Sequence, residues 1–353
     1  MSLADETSDV RPGHEIDEAR LLEFLSAQVL EIRGGASVRQ FRGGQSNPTF
    51  LIQAGGRAFV LRKKPPGNLL PSAHQVEREY QVMKALGGTD VPVPRMLLLC
   101  EDASIIGTPF YVMEGVEGRV VRDLTLPELS PKDRRAVYDV MAETFAKLHR
   151  VDWRAVGLEN FGKPTGYVSR QVARWTKQYE ATRTHEIVSM DQVMPWLVRN
   201  LPEGDEAAIA HGDFRLENMI LHPTEPKVLA VLDWELATIG HPLPDLAYNC
   251  LPYHVEPDFP GVGGLRDMDF TATGIPSEAE YIATYCAAAG RKGIDHWHYY
   301  LAFSLFRTAA ILQGVYARAL QKTASNANAL SVGKLAAQAA DMAWGEACRD
   351  GRK

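Results

Sequence analysis

The spacing of apolar positions changes along the chain, from a pattern that predicts strands to one that predicts helices. In the first part, Leu21, Leu25 and Val29 recur at the spacing of one helix face. Two apolar runs on either side of a turn at 54–57 predict a β-hairpin. The elements predicted for this part are a helix at 16–30, strands at 38–41, 50–52 and 58–62, a helix at 72–86, and strands at 96–100 and 109–113.

Helical spacing dominates the rest of the chain, with helices predicted at 131–150, 169–180 and 297–320 and a compact segment of loops and strands at 211–248. The change falls near Glu114–Gly118, whose glycines suit a hinge. We therefore predict an α+β fold with two lobes. Residues 1–115 form a lobe of antiparallel strands plus a helix, with a loose tail at 1–13, and residues 116–353 form a mostly helical lobe.

The composition excludes several classes of protein. The chain has 353 residues, of which 45% are hydrophobic and 23% are charged, as in an ordinary globular protein. A net charge of -6 argues against nucleic acid as the main partner, because phosphate backbones require clustered Lys and Arg. No apolar run is long enough to span a membrane, and the polar N-terminal residues do not have the pattern of a signal peptide. We expect a cytoplasmic protein with no membrane partner.

The spacing of the cysteines is typical of a protein from a reducing compartment. They are far apart and form no CxxC pair, which argues against a zinc site or a disulfide framework. We expect buried free thiols at Cys100, Cys250, Cys286 and Cys348.

The segment His211–Ile220 and the residues that follow it carry the chemistry. Asn218 lies five residues after Asp213, and Asp233 ends an apolar strand fifteen residues later. Phosphoryl transfer needs a carboxylate to orient the attacking hydroxyl and oxygen ligands for magnesium. Two short strands joined by a turn would bring Asn218 and Asp233 side by side. The spacing therefore indicates magnesium-dependent phosphoryl transfer.

These motifs resemble those of the aminoglycoside phosphotransferase and choline kinase superfamily. HGDFRLEN at 211–218 is similar to its catalytic loop, and DWE at 233–235 is similar to its metal-binding loop. The resemblance implies a protein-kinase-like fold that uses ATP and Mg²⁺. It implies Asp213 as the base or hydroxyl-orienting residue, with Arg215 as a second catalytic candidate in the same loop. It also implies that Asn218 and Asp233 bind the metal.

The first lobe carries the matching nucleotide motifs. The segment Arg42–Asn47 resembles the family's nucleotide loop, which implies nucleotide contacts from Gly43, Gly44, Ser46 and Asn47. On the strand at 58–62, alternation puts Val60 and Arg62 on one face. The strand resembles the one that carries the phosphate-binding cation in kinases, which implies that Val60 covers the base and Arg62 reaches the phosphates. The family usually has Lys in the place of Arg62, and a bulge would bring Lys63 there instead.

Three further features complete the implied site. The resemblance implies that Glu79 is the carboxylate that pairs with the phosphate-binding cation, with Glu77 as the alternative. The segment Phe110–Gly115 resembles the family's linker strand, which implies backbone contacts to the base edge from Met113, Glu114 and Val116. Outside these contacts, Asp245 matches a motif that supports the active site, and His149, His296 and His298 are expected to be structural.

The acceptor is predicted to be a small molecule. Only eleven residues separate Asp233 from Asp245, too few for the segment on which protein kinases dock a polypeptide. From about residue 37 to 320, the chain closely resembles the kinase-like domain found fused to acyl-CoA dehydrogenases, which implies a 4-hydroxyacyl-CoA or a hydroxy acid. An aminoglycoside kinase and a nucleotide-binding pseudokinase stay open as alternatives. The apolar helix at 297–320 leaves open whether the chain forms a homo-oligomer.

Overall fold

The computed structural model describes residues 3–32, 36–42, 47–65, 74–260, 263–322 and 328–352. The strands are β1 Thr7–Ser8, β2 Ala36–Phe41, β3 Thr49–Ala54, β4 Arg57–Lys63, β5 Met96–Cys100, β6 Phe110–Glu114, β7 Arg119–Val120, β8 Ala208–Ala210, β9 Met219–Leu221, β10 Val228–Val231 and β11 Thr238–Gly240. The helices are α1 Glu18–Gln28, α2 Val76–Leu86, α3 Pro131–Arg150, α4 Tyr167–Thr182, α5 Val188–Arg199, α6 Pro242–Asn249, α7 Phe270–Thr273, α8 Glu278–Ala289, α9 Trp297–Leu320, α10 Ala329–Gly333 and α11 Ala336–Asp350.

The first of two compact units comprises Met1–Asp123, Val151–Phe161 and Arg215–Ala237. The sequence-based boundary at residue 115 had placed the last of these segments in the helical lobe. Hydrogen bonds join Arg215–Ala237 to the first unit, because β9 pairs with β7 and the Val231 N–H donates to the Pro92 carbonyl at 2.9 Å.

A six-stranded antiparallel sheet in the order β1-β2-β3-β4-β6-β5 forms the body of this unit. Alternation along β3 and β4 buries Phe50, Ile52, Phe59 and Leu61 in one core with residues of α1. Helix α2 packs against β5 and β6. A second small sheet, in the order β10-β9-β7, carries the segment between Asn218 and Asp233.

The second unit comprises Leu124–Arg150, Gly162–Phe214 and Thr238–Lys353 and is mostly helical. Helix α9 lies at its centre and packs against α4, α5, α6, α10 and α11. Most of the apolar surface of α9 therefore packs against other helices of the same unit. A two-stranded sheet of β8 and β11 leads into the segment that begins at His211.

The predicted elements agree with the structure, with shifted ends. Helix α1 begins after Asp17, whose side chain accepts from the Arg20 N–H at 3.0 Å. Residues 72–73 of the predicted second helix lie outside the described residues, and α2 begins at Val76. The expectation of a loose tail is wrong for residues 3–8, which form a 3₁₀ turn and strand β1. Their sequence is polar, and the pairing of β1 with β2 joins residues far apart in the chain.

None of the helices in the described ranges is long and apolar enough to cross a lipid bilayer. All four cysteines are free thiols. Cys100, Cys250 and Cys286 are buried as expected, whereas Cys348 is exposed.

Candidate active site

A cavity of about 290 Å³ lies within the first unit. This volume is near the lower end of the range for small-molecule sites. Its walls are mostly apolar, and a few charged groups also line it. The predicted residues that line it are Val60, Arg62, Met113, Glu114, Val116 and Asp233. The lining residues that the sequence did not indicate include Leu3, Glu6, Met83, Tyr111, Arg122, Ile220 and Leu232.

The linker strand offers a backbone donor at this cavity. The Glu114 N–H donates to the Arg95 carbonyl and the Gly115 N–H donates to the Ala58 carbonyl, each at 2.9 Å. The Val116 N–H has no backbone partner in the described part of the chain. Of the N–H groups at 114–116, that of Val116 is therefore the one available for the edge of a bound base.

Arg62 provides the positive charge on the cavity wall. Its side chain is only 13% exposed and lies among three carboxylates. Arg62 Nη2 donates to Asp233 Oδ1 at 2.9 Å, and Arg62 Nε lies 3.1 Å from Glu79 Oε2. Burial disfavours the guanidinium charge, but the charges of Glu79 and the neighbouring acidic groups outweigh it and raise the pKa of Arg62.

Lys63 lies on the opposite face of β4. The pairing of β4 with β3 and β6 is regular through Arg62, so no bulge exchanges the two positions. The Lys63 side chain is buried, with Nζ 5.9 Å from the ring centroid of Phe50, and burial lowers its pKa. The sequence left open whether Arg62 or Lys63 is the phosphate-binding cation. Of these two residues, Arg62 is the one that lines the cavity.

Glu79 is the carboxylate that holds Arg62. Its Oε1 accepts from Asn47 Nδ2 at 2.8 Å, and its Oε2 accepts from the Tyr111 hydroxyl at 3.0 Å. Burial raises the pKa of Glu79 to about 7, against the opposing effect of the Arg62 charge. The alternative residue, Glu77, instead accepts from Lys64 Nζ at 2.5 Å.

Asn47 has a different place from the one implied by its motif. Its side chain is fully buried and bonds to Glu79 and to His74 Nδ1 rather than lining the cavity. It therefore positions the carboxylate of Glu79. The other nucleotide-loop residues, Gly43, Gly44 and Ser46, lie outside the described residues.

Asn218 and Asp233 lie next to the paired ends of β9 and β10. Val231 pairs with Met219, and the Leu232 N–H donates to the Asn218 carbonyl at 2.8 Å. The structure thus brings together the two residues that the sequence predicted as neighbours. Asp233 has a left-handed backbone with φ of 64°, a conformation that Asp tolerates better than most residues and that is frequent at functional sites.

The donor chemistry of this corner fits a magnesium ion. Carboxylate and amide oxygens are hard ligands, and Mg²⁺ in phosphate sites needs only one or two from the protein. Glu79, Asp233 and Glu235 all lie within 4 Å of the single guanidinium of Arg62. Fully ionised, these groups carry an excess negative charge that a divalent cation would offset. In the described ranges, no group of three or more His, Cys, Asp or Glu residues could hold a metal.

The loop that contains Asp213 belongs to the second unit and is held by Asp245. One oxygen of this buried carboxylate accepts from the His211 N–H at 2.6 Å and the other accepts from the Gly212 N–H at 2.8 Å. Burial alone would raise the pKa of Asp245, but His149 and the loop N–H groups outweigh it and lower the pKa. Asp245 therefore fixes the backbone immediately before Asp213, as its motif implied.

Further contacts fix both sides of this loop. Asn249 Nδ2 donates to the Phe214 carbonyl at 2.8 Å, and Arg307 Nη2 donates to the Gly212 carbonyl at 3.3 Å. His149 lies beneath Asp245, with Nε2 3.4 Å from Oδ2, and burial lowers its pKa. Its role is structural, as expected from the sequence.

Arg215, His296 and His298 are the predicted residues whose positions have not yet been described. Arg215 precedes the 3₁₀ turn Leu216–Asn218 in the first unit, with Nη1 3.9 Å from Glu217 Oε1. Its catalytic role stays a prediction. His298 Nδ1 lies 2.7 Å from Glu346 Oε2, and His296 precedes α9, so neither joins a metal cluster in the described ranges.

A second cavity, of about 700 Å³, lies within the second unit. His241 lines it and also caps α6 through Nδ1, which accepts from the Leu243 N–H at 3.2 Å. Burial lowers the pKa of His241 to about 4. Arg291 and Glu206 form an ion pair on the same wall, and the charged lining is of mixed sign.

The chain is similar to one protein family and to several known proteins. A family model described as "Phosphotransferase enzyme family" matches residues 37–301. Acyl-CoA dehydrogenase family member 10 of Mus musculus is 50% identical over 346 residues, which are 98% of this chain and 32% of that protein. Member 11 of Homo sapiens is 47% identical over 319 residues, 89% of this chain and 41% of that protein. The chain thus spans less than half the length of these relatives.

Solved structures agree on the fold. A protein from Ralstonia eutropha, described provisionally as an aminoglycoside phosphotransferase, is 46% identical with a TM-score of 0.88, covering 95% of this chain and 99% of its own. Aminoglycoside phosphotransferase APH(4)-Ia, in a ternary complex with AMP-PNP and hygromycin B, is 16% identical with a TM-score of 0.60 over 92% of this chain and 98% of its own. The two-lobed α+β architecture expected from the sequence is confirmed at the level of the fold.

Proposed function

Because the chain belongs to the phosphotransferase enzyme family and is a small-molecule phosphotransferase, we propose that it moves the γ-phosphoryl group of ATP, with Mg²⁺, to a hydroxyl group of a hydroxy acid or its CoA thioester. The observation that carries the proposal is the bonded pair of Arg62 and Asp233 in the lining of the first unit's cavity. There Arg62 is held by Glu79 and lies against Asp233, next to Asn218.

The cavity suits a nucleoside triphosphate. Val60, Met113 and Ile220 provide apolar surface for a base, and the Val116 N–H is available to its edge. Arg62 lies where the phosphates would follow, and a guanidinium can bind phosphate through two parallel hydrogen bonds. Solved relatives of the same fold contain AMP-PNP, ADP or GDP, which supports a nucleotide as the donor.

In the proposed reaction, Asn218 and Asp233 hold magnesium, which offsets the charge of the phosphate oxygens when bound. Asp213 orients the acceptor hydroxyl and accepts its proton. The acceptor oxygen forms a bond to the γ-phosphorus as the bond to the β–γ bridging oxygen breaks. ADP leaves with that electron pair. Asp245 keeps Asp213 in place through the backbone of the preceding two residues.

The acceptor assignment is supported first by the relatives, which are named as acyl-CoA dehydrogenase family members and match this chain over about 90% or more of its length. A second support is positive charge beside the Asp213 loop. Arg307 bonds to the Gly212 carbonyl and lies 4.9 Å and 5.6 Å from the ring centroids of Tyr248 and Trp175. Arg174 lies 5.4 Å from the same Trp175 ring.

Neither Arg174 nor Arg307 forms an ion pair with a carboxylate in the described part of the second unit. Such cations favour an acceptor with a carboxylate or another anionic group. They would repel an aminoglycoside, which is a polycation. The name given to the Ralstonia eutropha protein keeps an aminoglycoside kinase as the second candidate.

Release of ADP from ATP and Mg²⁺ tests the acceptor. The panel comprises 4-hydroxy acids, their uncharged methyl esters, their CoA thioesters, choline, homoserine and aminoglycosides. We expect turnover with the acids or thioesters and weaker turnover with the methyl esters. Turnover with aminoglycosides alone would overturn the acceptor assignment. Binding of ATP without turnover of any acceptor would instead favour a pseudokinase, and failure to bind ATP would refute the donor site itself.

The proposal places the reaction in the cytoplasm, where nucleoside triphosphates and reduced thiols coexist. The four free cysteines agree with this compartment.

A further inference from the structure

The segment Leu3–Ser8 contributes two residues to the lining of the first unit's cavity. Leu3 and Glu6 line the cavity, as does Arg122 from the chain that follows the linker. We propose that this segment is the front wall of the nucleotide site and that Glu6 recognises the ribose. The inference rests on the proposed function, because it assumes that the cavity binds a nucleotide.

One end of the segment is fixed to the strand that leads into the nucleotide loop. β1 pairs with β2 through Thr7 opposite Phe41, and the Arg42 N–H donates to the Glu6 carbonyl at 3.0 Å. Thr7 is buried, and its hydroxyl accepts from Arg39 Nε at 2.9 Å and donates to the Ala4 carbonyl at 2.7 Å. Glu6 is therefore placed by backbone and buried polar contacts.

The other end of the segment lies against the linker. A Cβ atom added to Gly115 would lie only 2.9 Å from Leu3 Cδ1, so the glycine allows Leu3 to approach the linker closely. Residues 3–6 thus extend from the linker, where the base edge is expected, to Arg42, which begins the nucleotide loop. The ribose of a nucleotide connects its base to its phosphates, so it would lie behind this segment.

The carboxylate of Glu6 has the chemistry for that position. Its Oε2 accepts from Arg122 Nη2 at 2.6 Å, which holds the group in place. Its Oε1 has no hydrogen-bond partner among the described residues, and the side chain is 27% exposed. Ribose hydroxyls are donors, and a hydrogen bond to a charged acceptor is stronger than one to a neutral acceptor. Glu6 is therefore placed to select ribonucleotides over deoxyribonucleotides.

Equilibrium binding of ATP, 2′-deoxy-ATP and 3′-deoxy-ATP to the full chain with Mg²⁺ tests the inference. We expect the wild type to bind ATP about tenfold or more tightly than at least one deoxynucleotide. In Glu6→Ala, ATP binding should weaken to the level of that deoxynucleotide, whose own affinity should change little. Leu3→Ala should weaken all three alike, because Leu3 is an apolar part of the wall and cannot form a hydrogen bond with a ribose hydroxyl.

Asp9→Ala is the matched control, because Asp9 is an exposed acidic residue just past the segment and does not line the cavity. It should retain the wild-type preference. A preference that survives in Glu6→Ala, or an equal loss of affinity for all three nucleotides, would overturn the ribose assignment while leaving the proposed donor site intact. A wild type that binds none of them would refute the proposed function and this inference together.

Discussion

Arg62 Nη2 lies 2.9 Å from Asp233 Oδ1, so the residue expected to steady phosphates is bonded directly to the residue expected to ligate the metal. The same guanidinium is held from behind by Glu79. The positions of these three side chains therefore depend on one another. Substitution of one of them should change nucleotide binding, metal dependence and stability together.

Arg62→Met should destabilise the fold by about 3 kcal/mol or more, because it leaves the buried Glu79 carboxylate without its counter-charge. Thermal or denaturant unfolding would measure the loss. Arg62→Lys keeps the charge and should lose less stability, yet it cannot contact two carboxylates with the same geometry and should weaken ATP binding. The double variant Arg62→Met/Glu79→Gln should recover part of the loss. Wild-type stability in Arg62→Met would contradict this account of the ion pair.

Asp233→Asn should remove most of the dependence of ATP binding on Mg²⁺. Asn tolerates the left-handed backbone at this position, so the variant should fold, whereas Asp233→Ala adds backbone strain. Titration of ATP with Mg²⁺ and with EDTA separates the two contributions. In EDTA the Asn variant should bind ATP at least as well as the wild type, because one carboxylate no longer repels the phosphates. An unchanged response to Mg²⁺ would exclude Asp233 as a ligand.

Asp213→Asn should lower kcat by about a hundredfold to ten-thousandfold, the usual contribution of a general base. The affinity for ATP with Mg²⁺ should stay near that of the wild type, because the proposed metal ligands are Asn218 and Asp233. Steady-state kinetics and direct nucleotide binding would be measured on the same preparation. Retained turnover in this variant would show that another group handles the acceptor proton.

Asp245→Ala should reduce kcat and stability together. The His211 and Gly212 N–H groups would lose the buried carboxylate that accepts from them, and unsatisfied buried donors cost about 1–3 kcal/mol each. Asp245→Asn offers one carbonyl oxygen in place of two carboxylate oxygens and should have an intermediate effect. The KM for ATP should change little in either variant. A selective rise in that KM would show that Asp245 acts on the nucleotide and not on the loop.

His241 predicts a pH-dependent contribution to stability. Its pKa is lowered from 6.5 to about 4 by burial, so between these values the unfolded chain binds a proton that the folded chain does not. The contribution of His241 to stability is therefore fully present above pH 6.5 and is lost as the pH is lowered toward 4, by about 3 kcal/mol. His241→Asn retains an N-capping side chain for α6 and should flatten this part of the curve. Parallel unfolding curves for both proteins between pH 4 and 6.5 would contradict the assignment.

The parts of the site that were predictable from the sequence are those defined by short spacings. Alternation placed Arg62 on the cavity face of β4, and two short strands brought Asn218 next to Asp233. Family resemblance identified Glu79 over Glu77 and indicated the support from Asp245. Each of these inferences needs only a local period or a motif.

Contacts between segments that are far apart in the chain could not be predicted from local spacing or from a motif. Nothing in the local sequence indicates that Tyr111 donates to Glu79, or that Asn47 turns inward to bond with it. The place of Leu3 and Glu6 at the cavity depends on β1 joining β2, and the two residues of β1, Thr7 and Ser8, carry no apolar signal that predicts a strand. Such contacts are set by tertiary packing, which overrides weak local preferences.

β1 also protects the sheet to which it belongs. It is the terminal strand of the six-stranded sheet, and its two residues cover the end of β2 that leads toward the nucleotide loop. Uncovered edge strands offer unpaired N–H and C=O groups to other chains, and proteins commonly blunt them with short strands and charged side chains. A chain shortened to begin after Ser8 would expose the backbone of Gln40 and Phe41, so it should self-associate more readily during expression and storage.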